Sequence, residues 1–136
     1  MKYAVIDVGS NTVRLCVYDV LCPEKRKFKT IMNRKIMAGL AAYIVDGAFS
    51  DEGIAEAILA VKKCIKRASY LSPDRIDMFA TAVLRNISNS AQAIAAIEQG
   101  AGCTISLLSN ADEAHLGFVG ASSRGTLDDG ALIDIG

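Results

Sequence analysis

The sequence predicts an α/β domain, and three observations carry that prediction. Three short apolar runs rich in β-branched residues come first, between Tyr3 and Met37. Stretches with helical apolar spacing then alternate with further short apolar runs. Ser, Pro, Asn and Gly punctuate the boundaries between them, where turns and helix caps need those residues. The resulting order is βββαβαβα, which suits a sheet with helices on its faces.

Tyr3 to Val8 and Val13 to Val20 read as two strands of a hairpin joined by the polar turn Gly9-Ser10-Asn11-Thr12. Leu21 to Lys25 is a turn, and Phe28 to Met37 is a third strand with Lys and Arg on its solvent side, so three antiparallel strands open the domain. Ala38 to Phe49 is a Gly-containing connection. Ser50 then caps a helix running to about Leu71, with Asp51 and Glu52 favoured in its first turn by the helix dipole. Its apolar stripe is Ile54, Ile58, Val61, Ile65 and Ala68. Lys62, Lys63, Lys66 and Arg67 form a solvated face that also complements the helix C-terminus.

Ser72-Pro73-Asp74 ends that helix, and Ile76 to Ala80 is a short strand feeding Thr81 to Asn86. Ser90 is the expected cap of a helix from Ala91 to Gln99, stopped by Gly100 and Gly102, and Thr104 to Leu108 is expected to be a buried strand. Asn110 is the expected cap of a last helix, Ala111 to Ala121, where capping alone accounts for Asp112 and Glu113 in the first turn. Ser122 to Gly130 is a polar linker, and Ala131 to Gly136 begins a new apolar strand.

The chain has 136 residues and 51% hydrophobic content, enough for one core and not comfortably for two. Its 15 Lys+Arg balance 15 Asp+Glu, so no global field recruits nucleic acid or an anionic membrane, and any polyanion site must be local. Asp7 interrupts the first apolar run too early for a secretory leader, no run is long enough to span a bilayer, and a cytoplasmic protein is expected. Cys16, Cys22, Cys64 and Cys103 lack metal spacing; Cys16 and Cys64 read as core positions, and all four are expected as reduced thiols.

The chemistry centres on Asp7 and the turn behind it. Gly9 allows close backbone approach, and Ser10, Asn11 and Thr12 add polar groups to the turn's N–H donors, an arrangement able to hold an anion. An ordinary hairpin turn has the same composition. Asp7 repels a bare phosphate but can orient water or a metal ion that neutralises one. Ile6-Asp7-Val8-Gly9 is echoed by Ile133-Asp134-Ile135-Gly136, and two such strand ends facing each other would clamp a phosphate from both sides.

Four segments, Ile6 to Arg14, Ala80 to Asn86, Ser109 to Gly117 and Leu132 to Gly136, resemble the exopolyphosphatase and guanosine pentaphosphate phosphohydrolase family. That family belongs to the actin-like ATPase superfamily, with paired ribonuclease-H-like domains. The resemblance implies that residues 1–123 form the first ribonuclease-H-like domain, a mixed sheet with helices on its faces. Residues 124–136 are then a linker and the first strand of a truncated second domain, since the family continues with Gly-Gly-Ser-Thr-Glu where this chain stops. It further implies a hydrolase that removes terminal phosphates from polyphosphate or guanosine pentaphosphate with Mg²⁺. Glu113 would orient the attacking water and Arg85 would stabilise charge on the transferring group. Gly9, Ser10, Asn11, Thr12, Arg14, Thr81 and Gly136 would bind phosphate, and Asp7 and Asp134 would position Mg²⁺ or its waters. Where the family has Gly, Glu-Glu-Ala and often Arg, this chain has Asn110, Asp112-Glu113-Ala114 and His115, the last read as an exposed helix residue.

With half of the cleft missing, residues 1–136 alone are expected to be inactive, and the terminal apolar strand is expected to dock on a second copy in a homodimer. A non-catalytic phosphate-binding or assembly module is the alternative.

Overall fold

A computed structural model describes residues 1–25 and 27–122. Its centre is a five-stranded mixed sheet in the order β3-β2-β1-β6-β7, formed by β1 (Lys2–Val8), β2 (Thr12–Cys22), β3 (Lys27–Met37), β6 (Arg75–Ala80) and β7 (Ser106–Leu107). The first three strands are antiparallel, as their order and turns predict, while β6 joins β1 in parallel and β7 joins β6 in parallel. A parallel partner needs a crossover, and helix α1 (Asp51–Ser69) supplies the one between β3 and β6. The short α2 (Ala82–Arg85) and α3 (Ser90–Ala101) lead to β7, and α4 (Asn110–Ser122) follows it. This is the expected βββαβαβα order, with three small additions: α2, a 3₁₀ turn at Leu40–Tyr43, and a hairpin of β4 (Ile44–Val45) and β5 (Ala48–Phe49), the last two inside the connection after β3. Asp46 and Gly47 turn that hairpin with φ of 49° and 77°, so the Asp-Gly pair was a legible hairpin signal.

Alternation along the strands divides the sheet into two unlike faces. Ala4, Ile6, Val8, Val13, Leu15, Val17, Met78 and Ala80 are buried on the face covered by α1, against which α3 packs. Asp7, Arg14, Cys16, Tyr18 and Phe79 are half-buried on the other. The period of two therefore takes Cys16 out of the core position expected for it, whereas Cys64 is fully buried; all four cysteines are free thiols.

Helix α1 begins as predicted, with Ser50 Oγ accepting from the Gly53 amide at 3.2 Å. Its deepest residues are the small ones, Gly53, Ala57, Ala60, Val61, Cys64 and Ala68, while Ile54, Ile58 and Ile65 pack at the core margin. Val61 and Ala68 of the expected stripe are fully buried, but the isoleucines yield the deepest positions to small residues, because the helix packs closely on its neighbours. A Cβ on Gly53 would meet Tyr43 Cβ at 2.6 Å and Phe49 Cε2 at 2.8 Å.

Three further expectations are corrected. The strand expected at Thr104 to Leu108 is the two-residue strand β7, whose residues are exposed; among the described residues it has a neighbour only on the β6 side, and Ile105 just before it is the buried residue. Ser90 does not cap α3: its hydroxyl donates to the Leu84 carbonyl, and the Asn89 side chain is engaged by both backbone groups of Phe49. Ser109, not Asn110, caps α4, with its Oγ accepting from the Asp112 amide at 3.1 Å. The expected linker, terminal strand and domain boundary at residues 123–136 lie outside the described residues, as do Asp134 and Gly136. No helix of the described residues is long and apolar enough to cross a membrane.

Candidate active site

The site forms at the C-terminal ends of β1, β6 and β7, where parallel strands release the chain into loops and helix starts. Behind β1 the turn closes on itself through Gly9 N–H donating to the Thr12 carbonyl at 3.0 Å. A Cβ at Gly9 would lie 3.1 Å from that oxygen, tighter than ordinary contact. The Asn11 carbonyl accepts from Ala38 and Gly39, and the Ser10 carbonyl accepts from Ala41 at 2.9 Å. These bonds hold the turn from outside by its carbonyls and leave the Ser10 and Asn11 amides without acceptors among the described residues. A rigid turn with free amides can hold an anion.

Thr81 follows Ala80, the residue paired with Val8, and so stands beside the end of β1. Its carbonyl accepts from the Leu84 and Arg85 amides, which starts α2 and carries Arg85 back over the strand ends. The Arg85 side chain is 18% exposed, and its Nη1 donates to Glu113 Oε2 at 3.0 Å and to the Leu108 carbonyl at 2.7 Å. One guanidinium nitrogen thus ties the end of β7 to the first turn of α4. Glu113 is held as a partner of Arg85 as well as favoured by the helix dipole, so capping alone does not account for it.

Asp7 and Arg14 are opposite one another on β1 and β2 and project from the same face. Burial pushes the Asp7 carboxyl above its ordinary pKa; Arg14 works against that rise and Glu113 adds to it. Asp7 Oδ1, Arg14 Nε and Arg85 Nε are all buried and lack hydrogen-bond partners among the described residues. Three such atoms in one patch are notable because buried polar groups are nearly always paired. Asp7, Arg14, Arg85 and Glu113 are therefore brought together by the fold, with Gly9 to Thr12 and Thr81 at adjoining strand ends.

Asp112 points elsewhere. It accepts from Ser109 Oγ at 2.6 Å, which holds its carboxyl below the ordinary range, and it is exposed. The Ser-x-x-Asp spacing was a readable capping signal. His115 is exposed, as expected. The Leu108 carbonyl, a backbone group, is a site component that side-chain patterns do not reveal.

Comparison with known proteins supports the fold and the family. The crystal structure of a Ppx/GppA phosphatase from Aquifex aeolicus matches 91% of this chain with a TM-score of 0.80 at 21% identity, and 41% of that chain is covered. An exopolyphosphatase from Cytophaga hutchinsonii matches 90% of this chain with a TM-score of 0.81 at 25% identity, and 39% of that chain is covered. A more distant likeness, a TM-score of 0.58 at 12% identity over 90% of this chain and 31% of the other, links the fold to nucleoside triphosphate hydrolases from Neospora caninum. The chain spans about two-fifths of the length of the first two of these relatives. The family model described as the Ppx/GppA phosphatase family matches residues 21–136, and the chain belongs to that family.

Proposed function

We propose that this chain is the first-domain part of a phosphatase that hydrolyses terminal phosphoanhydrides of inorganic polyphosphate or guanosine pentaphosphate. The observation that carries the reading is the convergence of an Arg85–Glu113 pair with unpaired, buried polar atoms of Asp7, Arg14 and Arg85 beside a turn with free amides.

Hydrolysis of a phosphoanhydride needs an aligned water and neutralised charge more than covalent help from the protein. The Ser10 and Asn11 amides, with the polar side chains of the turn and Thr81, hold phosphate oxygens. Arg85, already oriented by Leu108, answers charge on the transferring group, with Arg14 as a second cation. Glu113, which accepts from the same Nη1 as the Leu108 carbonyl, orients the attacking water through its other oxygen. It accepts the water's proton as the bond from water to phosphorus forms and the bridging P–O bond breaks, releasing the shortened phosphate chain.

Asp7 fits a hydrated Mg²⁺, since its buried Oδ1 lacks a partner among the described residues and a cation or its water would supply one. The described residues contain no cluster of three His, Cys, Asp or Glu side chains suited to a metal ion. Mg²⁺ keeps several waters and binds through one or two carboxylates plus the substrate's phosphates, so Asp7 would serve as one such carboxylate. Bound there, Mg²⁺ would neutralise phosphate charge. Asp134 and Gly136 belong to the same reading as the facing half of the clamp.

Parallel measurements of binding and turnover test the reading. Residues 1–136 are expected to bind pyrophosphate in a Mg²⁺-dependent way without enzyme-like hydrolysis. In a polypeptide of the relatives' length, Glu113→Gln is expected to lower kcat by about 10²–10⁴-fold with little change in binding. Full activity of that variant would remove Glu113 from the mechanism.

A further inference from the structure

The cation row does not stop at Arg14. Arg14 on β2 is paired with Asp7 on one side and with Lys35 of β3 on the other, so Asp7, Arg14 and Lys35 form a line across the sheet on the face of the site. Adjacent strands are about 4.8 Å apart, so each step outward from β1 moves the charge by roughly that distance. Like charges directly opposite one another on neighbouring strands destabilise a sheet. Arg14 has Asp7 to offset it, but Lys35 does not. Its neighbours on that face, Asn33 and Met37 along β3 and Thr12 and Cys16 diagonally on β2, carry no carboxylate. Lys35 is exposed and makes no ion pair among the described residues.

The same strand provides the contrast. Lys29 stands opposite Asp19, a cross-strand pairing of opposite sign. Guarding an open edge against strand addition explains the lysines of β3 in general. It does not require one of them to face an arginine whose Nε is buried and unpaired.

On the phosphate reading above, we infer that Lys35 and Arg14 form a second phosphate subsite, which takes a non-terminal phosphoryl group of a linear chain whose terminal group lies between the Gly9–Thr12 turn and Arg85. An anion between the two cations removes their repulsion. The ligand class is a linear run of three or more phosphoryl groups, inorganic or on the 5′ end of a nucleotide. A two-phosphate ligand ends before Lys35.

Calorimetry on the 136-residue chain with Mg²⁺ tests this, using pyrophosphate, long-chain inorganic polyphosphate and guanosine pentaphosphate as probes. Lys35→Ala is expected to weaken polyphosphate binding about tenfold while changing pyrophosphate affinity by less than about twofold. Lys35→Arg should retain the wild-type affinity, and Lys29→Ala should bind all three probes as wild type does. A parallel loss with guanosine pentaphosphate extends the subsite to nucleotide-borne chains, and a loss with polyphosphate alone restricts it to inorganic ones; either supports the assignment. Equal losses for Lys35→Ala and Lys29→Ala, or no loss for Lys35→Ala, would overturn it and leave the phosphate reading standing. A wild-type chain that binds none of the probes would overturn both. Because Lys35 is exposed, an unchanged urea midpoint is expected for its variants and verifies that they fold.

Discussion

Arg85 and Glu113, 28 positions apart, meet at 3.0 Å through the same Nη1 that donates to the Leu108 carbonyl at 2.7 Å. The guanidinium is therefore both a structural tie between β7 and α4 and a charge presented to the site. Its Nε remains buried and unpaired among the described residues, one more donor than the tie uses.

Removing Arg85 should expose both roles. Arg85→Ala leaves Glu113 charged beside Asp7 and frees the Leu108 carbonyl, so pyrophosphate binding and stability fall together. A double-mutant cycle with Glu113→Gln, read by urea denaturation, is expected to give a coupling of about 1 kcal/mol. Additive losses would show that the pair contributes contact without mutual stabilisation.

Asp7 should trade stability for binding. Burial raises its pKa in the folded state, so the folded protein holds that proton more tightly than the unfolded chain does. The associated stability is present below the ordinary aspartate pKa and is lost as pH rises through the raised folded value. Asp7→Asn is accordingly expected to raise the neutral-pH melting temperature, with the advantage shrinking towards acid pH. The same substitution should weaken Mg²⁺-dependent pyrophosphate binding by about tenfold or more.

The cap of α4 has the opposite pH sign. Ser109 hydrogen bonds lower the Asp112 pKa, so that contribution is present above the ordinary aspartate value and is lost as pH falls through the depressed one. Ser109→Ala should cost about 1 kcal/mol at neutral pH. Urea titrations across acid pH should show wild type and variant converging as Asp112 is protonated.

Two helix glycines should respond differently to alanine. At Gly53 the added Cβ meets Tyr43 Cβ at 2.6 Å and the Phe49 ring at 2.8 Å and 2.9 Å, residues at the two ends of the β4–β5 hairpin. A loss of about 2 kcal/mol is expected from overpacking. At Gly100 the Cβ meets Ile58 Cδ1, the end of a flexible side chain at the core margin. Rotation of Ile58 and the helix-propensity gain of about 1 kcal/mol should keep Gly100→Ala near neutral. Thermal melts of the two variants measure the difference.

The order of strands and helices and the local chemistry of the Gly9–Thr12 turn were readable in the sequence because they depend on short-range signals. Apolar alternation, helical spacing, Ser50 ahead of Asp51 and Glu52, and the break at Pro73 each act within a few residues. The resemblance over Ile6 to Arg14, Ala80 to Asn86 and Ser109 to Gly117 supplied the family and the roles proposed for Asp7, Arg85 and Glu113. What sequence periodicity missed was depth and partnership. It placed large isoleucines at the heart of α1, where Gly53, Ala57, Ala60, Val61, Cys64 and Ala68 are the buried residues, and it put Cys16 inside because it did not settle which face of β2 is covered. Caps at Ser90 and Asn110 were misassigned since competing partners, the Leu84 carbonyl for Ser90 and Ser109 bonding with Asp112, decide where a side chain bonds. The line from Asp7 through Arg14 to Lys35 depends on strand register, a long-range quantity that no local window contains. Sequence alone determined that the polar turn Gly9 to Thr12 joins the first two strands. Only the tertiary structure decided which charges stand beside it, because opposite charges attract and like charges repel according to distances that folding, not chain order, sets.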